Sequence, residues 1–253
     1  MVEGTRKRGQ SGSLPEGYRL EQGTGEVPSG ALELLDREFG KGYAWEGFDE
    51  LYYAGQALAD FVIAEDGICV GVCLGRYLTS EEVAIEVDFF GLPQLAGMRM
   101  STVETLAVDS KHRGRRLGSV LVGEMIGRLL EDRRLHLGVP SALMANSWIR
   151  PESCSEPLFL RSGFIVRGRY PGFWTERSIQ EPFDCPVDRI PCRCVASILV
   201  KDIEQPKEPR TRSARGSNSI RIAKRGAPVD LEVPEHPPLR TMMARGFHRS
   251  GEI

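Results

Sequence analysis

The chain contains no run of about 18 apolar residues, so no transmembrane helix and no membrane partner are expected. Residues Met1 to Arg8 lead into Gly, Ser and Pro instead of an apolar stretch, which argues against a secretory signal. There is no Cys-x2-Cys pair among the 6 cysteines of the 253 residues. Without a signal, that usage reads as reduced thiols of a cytoplasmic protein, not as a disulfide framework. Apolar residues make up 41% of the chain, enough for a sizeable core.

Composition divides the chain into three parts. Residues 1–16 are polar and rich in Gly and Ser, an expected disordered lead-in. From Glu204 to Ile253, Pro, Arg, Ser and Gly dominate, and ten Lys/Arg stand against six Asp/Glu. With a formal net charge of −2 overall, that excess of four leaves about −6 on residues 1–203. Such a tail cannot bury enough apolar surface to offset its ordering entropy, so it too is expected to be disordered. A basic tail can bind nucleic acid. A solvated extension is the preferred reading, so nucleic acid is not expected as a partner. The folded domain is assigned to 17–203.

Within that domain, Gly17 to Glu21 reads as a first strand. Ser29 to Phe39 reads as a helix with Ser29 as cap and Gly40 as stop. A second helical patch is expected over Trp45 to Ala57. Phe61–Ala64 and Ile68–Leu74, apolar runs on either side of Asp66-Gly67, predict a β-hairpin in which Cys69 and Cys73 are small buried hydrophobes. Residues 79–100 read as a long loop or an extra strand around Val83 to Phe90. Further strands are expected at Ser141–Asn146, Ile165–Tyr170 and Cys194–Ile203.

The stretch from Val103 to Leu130 organises the rest. Val103, Thr105 and Val108 are β-branched and predict a strand ending at Asp109-Ser110. Leu117, Leu121 and Met125, flanked by Val122, Ile126 and Leu130, recur at helical spacing. Between them, Arg113 to Gly118 lies at a helix start, where free N–H groups and the helix dipole bind anions and glycine lets the backbone approach. A Walker loop is excluded, because Gly114 to Gly118 is one residue short and lacks the Lys. The dinucleotide spacing G-x-G-x-x-G is absent too.

The segment Arg113-Gly114-Arg115-Arg116-Leu117-Gly118 resembles the R/Q-x-x-G-x-G/A loop of the GNAT acetyltransferase superfamily, with Arg116 where the first Gly stands. Leu158-Phe-Leu-Arg-Ser-Gly-Phe164 resembles that superfamily's L-Y-x-x-x-G-F helix, with Phe159 in place of Tyr. The run Cys194–Ile203 resembles its closing strand, so the likeness spans roughly 60–203. It implies an α/β (α+β mixed) fold: a splayed, mostly antiparallel sheet of six or seven strands with helices on both faces. It also implies acetyl-CoA as acyl donor and an amine acceptor, on a small molecule or a protein; a homodimer is left open. The pyrophosphate would sit on the N–H groups of Arg113, Gly114, Arg115, Arg116, Leu117 and Gly118, with Ser119 beside them. The pantetheine would pair with Leu106, Ala107 and Val108, and Asn146 ends the neighbouring strand. Glu104, four residues before Val108, is the candidate base, on the side of the strand that carries Leu106 and Val108; a surface or salt-bridged Glu is the plainer alternative. Phe159 carries no proton, so the general acid stays unassigned and a non-catalytic acyl-CoA binder is the rival reading.

Cys185, Cys192 and Cys194, in a C-x6-C-x-C pattern with Asp188 between, offer three sulfurs and one oxygen to a zinc ion. Against this stand the missing C-x2-C pair and the place of Cys194 at a strand start, where it would face the core. No metal is assigned, and Cys154 reads as an isolated thiol.

Overall fold

The structure is a computed structural model and describes residues 13–41, 51–131, 140–150, 154–180 and 185–203. Its strands are β1 (Tyr18–Gln22), β2 (Ala57–Ala64), β3 (Cys69–Tyr77), β4 (Met100–Val108), β5 (Ala142–Ile149), β6 (Ile165–Tyr170) and β7 (Val195–Asp202). They form one seven-stranded sheet in the order β1-β2-β3-β4-β5-β7-β6. Neighbours are antiparallel except β4 and β5, which run parallel. The helices are α1 (Ala31–Phe39), α2 (Ser80–Phe89), α3 (Leu117–Glu131), α4 (Glu156–Arg161) and α5 (Thr175–Gln180). Among the described residues no helix is long and apolar enough to cross a membrane.

Alternation along the strands makes two cores. Leu117, Leu121, Met125 and Leu129 of α3 pack on one face of the sheet, against Val62, Cys73, Val103, Leu143, Ala145 and Leu199. Leu121 and Met125 are fully buried, and each such side chain contributes about 1.5–3 kcal/mol of transfer free energy. On the opposite face, Leu34 and Leu35 of α1 cover Phe61, Val72, Leu74 and Ala107. Further along that face, Val83 and Val87 of α2 cover Met100, Ala142, Met144 and Ile198. Thus Leu143 and Ala145 of β5 point one way, and Ala142 and Met144 the other, as a period of two requires.

Four local expectations are corrected in whole or in part. The cap of α1 is Gly30, in a left-handed conformation with no side-chain cap bond, and not Ser29. Gly40 does end the helix, its N–H donating to the Asp36 carbonyl. Residues 80–89 are a helix and not a loop or strand. Thr79 Oγ1 accepts the Glu82 N–H at 3.2 Å, and Glu82 Oε2 accepts the Thr79 N–H at 2.7 Å. This reciprocal capping box stabilises a helix start strongly enough to overrule the strand preference of Val83, Ile85 and Val87. Of the expected helical patch over Trp45–Ala57, residues 45–50 lie outside the described residues; Leu51 and Tyr52 are helical, 53–55 form a turn, and Ala57 opens β2. Leu14, inside the expected lead-in, packs against the α3 core.

Candidate functional site

Strand β4 is paired along both edges at its start and along one edge at its end. Its parallel register with β5 runs only from Met100↔Ala142 to Val103↔Ala145, although the strands continue to Val108 and Ile149. On the other edge β4 stays paired with β3 as far as Gly71↔Val108. The sheet therefore splits between Glu104–Val108 and Asn146–Ile149. Leu106 and Val108 are half-buried on the α3 face, and Ala107 is buried on the α1 face. An extended ligand entering the split would meet an unpaired strand edge, the geometry of β-augmentation.

The loop after β4 is tied down at its root. Asp109 donates its N–H to the Val70 carbonyl at 2.9 Å and accepts the Lys111 N–H at 2.8 Å. Its carboxylate also pairs with Arg37 of α1 at 2.6 Å. The chain then turns through Gly114 (φ 78°) and Arg116 (φ 64°) into α3. Arg116 accepts the N–H groups of Ser119 and Val120 on its carbonyl, which makes it the cap residue of α3. Among the described residues no acceptor is recorded for the backbone N–H groups of Gly114 through Gly118. These five donors lie in the loop and first turn of a 15-residue helix, directly after the open end of β4. Gly118 permits the close approach: a Cβ there would stand 3.3 Å from Leu158 Cδ1 and 3.6 Å from Val108 Cγ2.

The basic side chains of this loop divide. Arg113 is occupied: its Nε donates to the Val108 carbonyl at 3.0 Å and its Nη2 meets Glu38 Oε2 at 2.5 Å. Its guanidinium staples α1 to the end of β4 and does not stand over the loop. Arg115 and Arg116 are exposed, Arg115 lying 5.9 Å from the Tyr18 ring centre. The Leu117 side chain is buried in the α3 core and Ser119 is exposed on the first turn. Across the split, Asn146 is the first β5 residue beyond the β4 pairing, and its Oδ1 is buried with no recorded partner.

Glu104 lies elsewhere than the sequence periodicity suggested. The β3–β4 register jumps from Leu74↔Thr105 to Gly75↔Val103, leaving Glu104 as the extra residue of a bulge. Val103, Leu106 and Val108 all join the α3 core, an offset of three that shows the alternation is broken. Glu104 instead pairs with Arg76 Nε at 3.3 Å. Gly75, next to Arg76, faces Met125 of α3, so Arg76 and Glu104 point to the opposite face, under α2. Sequence periodicity failed here because a bulge re-aims the side chains beyond it.

Around Glu104, α2 contributes two more carboxylates. Arg76 Nη1 holds Glu82 Oε1 at 2.7 Å. Glu86 is pushed up to about 8, first by burial and then by the neighbouring charges of Glu104 and Glu82, with Arg76 opposing them only in part. Glu86 went unnoticed in the sequence because α2 did. The Thr79-x-x-Glu82 capping box was the available signal, and it would have placed Glu86 one turn from Glu82.

The two hydroxyls near Phe159 in sequence, those of Ser155 and Tyr170, are both engaged. Phe159 itself is 1% exposed and packs edge-on against Phe164 in the α3 core. The Tyr170 hydroxyl donates to the Phe90 carbonyl at 2.9 Å, and Ser155 shares a 2.8 Å bond with Ser147.

Comparison with known proteins agrees with this geometry. No curated protein matches the sequence. Among solved structures, the NatC complex bound to Gag peptide and CoA is similar at 13% identity and TM-score 0.51, over 74% of this chain and 99% of that one. Arabidopsis thaliana NAA60 in complex with a bisubstrate analogue is similar at 15% identity and TM-score 0.50, over 73% and 98%. The same plant protein in complex with acetyl-CoA gives 14% and 0.50, over 73% and 99%. At such identities these likenesses establish the fold. The acetyltransferase (GNAT) family matches residues 29–146. Residues 29–146 are thus similar to the acetyltransferase (GNAT) family, and the seven-stranded splayed sheet is the fold of these solved structures.

Proposed function

We propose that the protein is an acyl-CoA-dependent N-acyltransferase that takes acetyl from acetyl-CoA and passes it to an amine. The observation that carries this reading is the split between β4 and β5, opening beside five unclaimed backbone N–H groups at the start of α3. Those N–H groups, with the side chains of Arg115 and Arg116, suit a pyrophosphate. The free edge of Leu106 to Val108 suits the amides of pantetheine, and the buried Asn146 Oδ1 suits one further donor. Strand edge and helix terminus together are consistent with micromolar affinity, about −8 kcal/mol.

The acceptor would approach from the α2 face. An amine with a pKa near 10 is mostly charged at neutral pH and must lose a proton before it attacks the thioester carbonyl. Glu104, at the split, is the group assigned to receive it, directly or through water. Glu86 beside it holds its own proton up to about pH 8, so Glu104 faces one carboxylate fewer below that pH. Arg76 anchors Glu104 from the other side. With Glu86 protonated, Glu82 and Glu104 against the Arg76 guanidinium leave one negative charge, which favours a cationic amine as acceptor. A backbone N–H near Val108 would polarise the carbonyl, and the leaving thiolate would take its proton from water.

Thermal unfolding with ligands tests the donor assignment. Acetyl-CoA at a hundredfold excess over Kd should stabilise the protein by about 2.7 kcal/mol. A shift with ATP or a nicotinamide dinucleotide but none with acetyl-CoA or CoA would refute it. CoA release across a panel of amines tests transfer. The buried, hydroxyl-free Phe159 favours a second reading, a non-catalytic acyl-CoA binder. Binding without CoA release for any amine would establish that reading instead.

A further inference from the structure

Away from the split, the connection between β6 and β7 gathers four metal-binding side chains. One ligand atom each from Cys185, Asp188, Cys192 and Cys194 lies within 4.8 Å of all the others. Cys185 Sγ and Cys194 Sγ are 3.8 Å apart, and Cys194 Sγ is 3.2 Å from Asp188 Oδ2. Two sulfurs held at about 2.3 Å by one tetrahedral zinc ion stand about 3.8 Å from each other. A disulfide would bring them to about 2.05 Å. The spacing excludes a disulfide and fits two ligands of one ion as well as it fits a thiol–thiol hydrogen bond.

We propose that Cys185, Asp188, Cys192 and Cys194 form a tetrahedral zinc site that clips the β6–β7 connection to the sheet. Read in order the ligands are C-x2-D-x3-C-x-C. The two-residue spacing typical of zinc turns is present, with a carboxylate as its second member. The turn has the backbone such a pair needs: the Asp188 N–H points at Cys185 Sγ at 3.4 Å. The Arg193 N–H donates to Asp188 Oδ2 at 2.9 Å and orients the carboxylate. The cysteines are buried at 2%, 0% and 6% exposure, while Asp188 is exposed and gives an ion a way in.

Three thiolates and a carboxylate around a divalent cation leave two excess negative charges. Arg150 lies 4.1 Å above the ring of Trp148, which packs in one cluster with the three cysteines, and so brings a positive charge near the site. Sulfur donors select zinc over magnesium or calcium, and four protein ligands leave no open position, so the site is structural. On binding, each thiol loses its proton to solvent, so occupancy falls as pH is lowered.

The clip has a place in the proposed activity without depending on it. Trp174 and Phe173, from the same connection, pack on Trp148, Phe89 and Phe90 of the acceptor face. Fixing 185–194 fixes that wall.

Metal analysis of the full-length protein tests the site, independently of any transferase activity. Protein produced with zinc available should carry one zinc per chain after dialysis against a weak chelator. Cobalt(II) added to protein freed of metal under reducing conditions should give the spectrum of a tetrahedral thiolate site. Cys185→Ser, Cys194→Ser and Asp188→Asn should each lower zinc affinity at least tenfold, while Cys154→Ser keeps full occupancy. A strong chelator should lower the melting temperature of the parent and not of a triple serine variant at 185, 192 and 194. Three results would each overturn the proposal: no zinc and no cobalt spectrum in the parent, zinc retained by the triple variant, or a disulfide between two of these cysteines in freshly reduced and refolded protein. Because the cobalt titration uses the parent chain, a variant that fails to fold leaves the test intact.

Discussion

The two sides of the split are built from different material. The proposed donor side is backbone: the N–H groups of Gly114 to Gly118 and the open edge of Leu106 to Val108. The proposed acceptor side is side chains brought from three separate segments: Arg76 from β3, Glu82 and Glu86 from α2, and Glu104 from a bulge in β4. A site made of backbone needs a local sequence, with glycine at close approaches and a strand running into a helix, and so it leaves a motif. A site made of distant side chains leaves none, because the topology assembles it. If the contrast holds, substitutions on the acceptor side change turnover, and substitutions on the donor side change affinity.

The largest effect is expected at Glu104. Glu104→Gln should lower turnover by roughly 10- to 10⁴-fold while acyl-CoA affinity is kept. The deficit should shrink as pH rises, because more of the amine is then already neutral. Full activity of the variant at every pH would remove Glu104 as the base.

Next comes Gly118. The space a Cβ would enter is bounded by Leu158 and Val108, so an indole there must project into the mouth of the split. Gly118→Trp should weaken acyl-CoA binding by about 2–3 kcal/mol, roughly a hundredfold, as read by calorimetry. Unchanged affinity would take the loop out of the site. Arg113→Ala belongs to a different class in this structure. It breaks the link from α1 to β4 and should chiefly lower the melting temperature.

Glu86 allows the acceptor side to be tested through stability. A carboxyl whose folded pKa is about 8, against 4.5 when unperturbed, favours folding while it is protonated. That contribution is complete below about pH 4.5 and is lost as pH rises to about 8. The charges that set it are those of Glu104, Glu82 and Arg76, which face it from β4, α2 and β3. Glu86→Gln should therefore flatten this part of the stability profile and raise stability near pH 9 by on the order of 2 kcal/mol. An unaltered profile would mean that Glu86 is already ionised at neutral pH.

What the sequence revealed follows the same division. Hairpin, central strand, α3 and closing strand were legible because each buries one face with a clean period, as in Leu117, Leu121 and Met125. The helix α2 was not, because Val83 and Val87 are its only buried residues and both are β-branched. Glu104 lies at the split, but it does not face as the alternation predicts, since a bulge is invisible to a count by twos. The cluster of Cys185, Asp188, Cys192 and Cys194 is weakly marked in the sequence, because no C-x2-C pair announces it and Cys194 at a strand start reads as a core residue; the fold brings the four together.

The smallest effect, and the one that separates backbone from side chain within the donor loop, is at Arg116. The loop motif asks for glycine there, and the structure supplies the reason: φ is 64°, a left-handed conformation. For a residue with a Cβ that conformation costs about 1–2 kcal/mol. Arg116→Gly removes the strain but adds unfolded-state entropy worth about 0.5–1 kcal/mol. The net expectation is a gain of about 0.5–1 kcal/mol in stability, read from denaturant midpoints with an unchanged slope. If the guanidinium also pairs with a phosphate, the same variant should lose about 1.5–3 kcal/mol of acyl-CoA affinity. Stability and affinity would then move in opposite directions. A gain in stability with affinity retained would instead assign the binding to the N–H groups alone, and a lower midpoint would show that the surrounding loop holds Arg116 without strain.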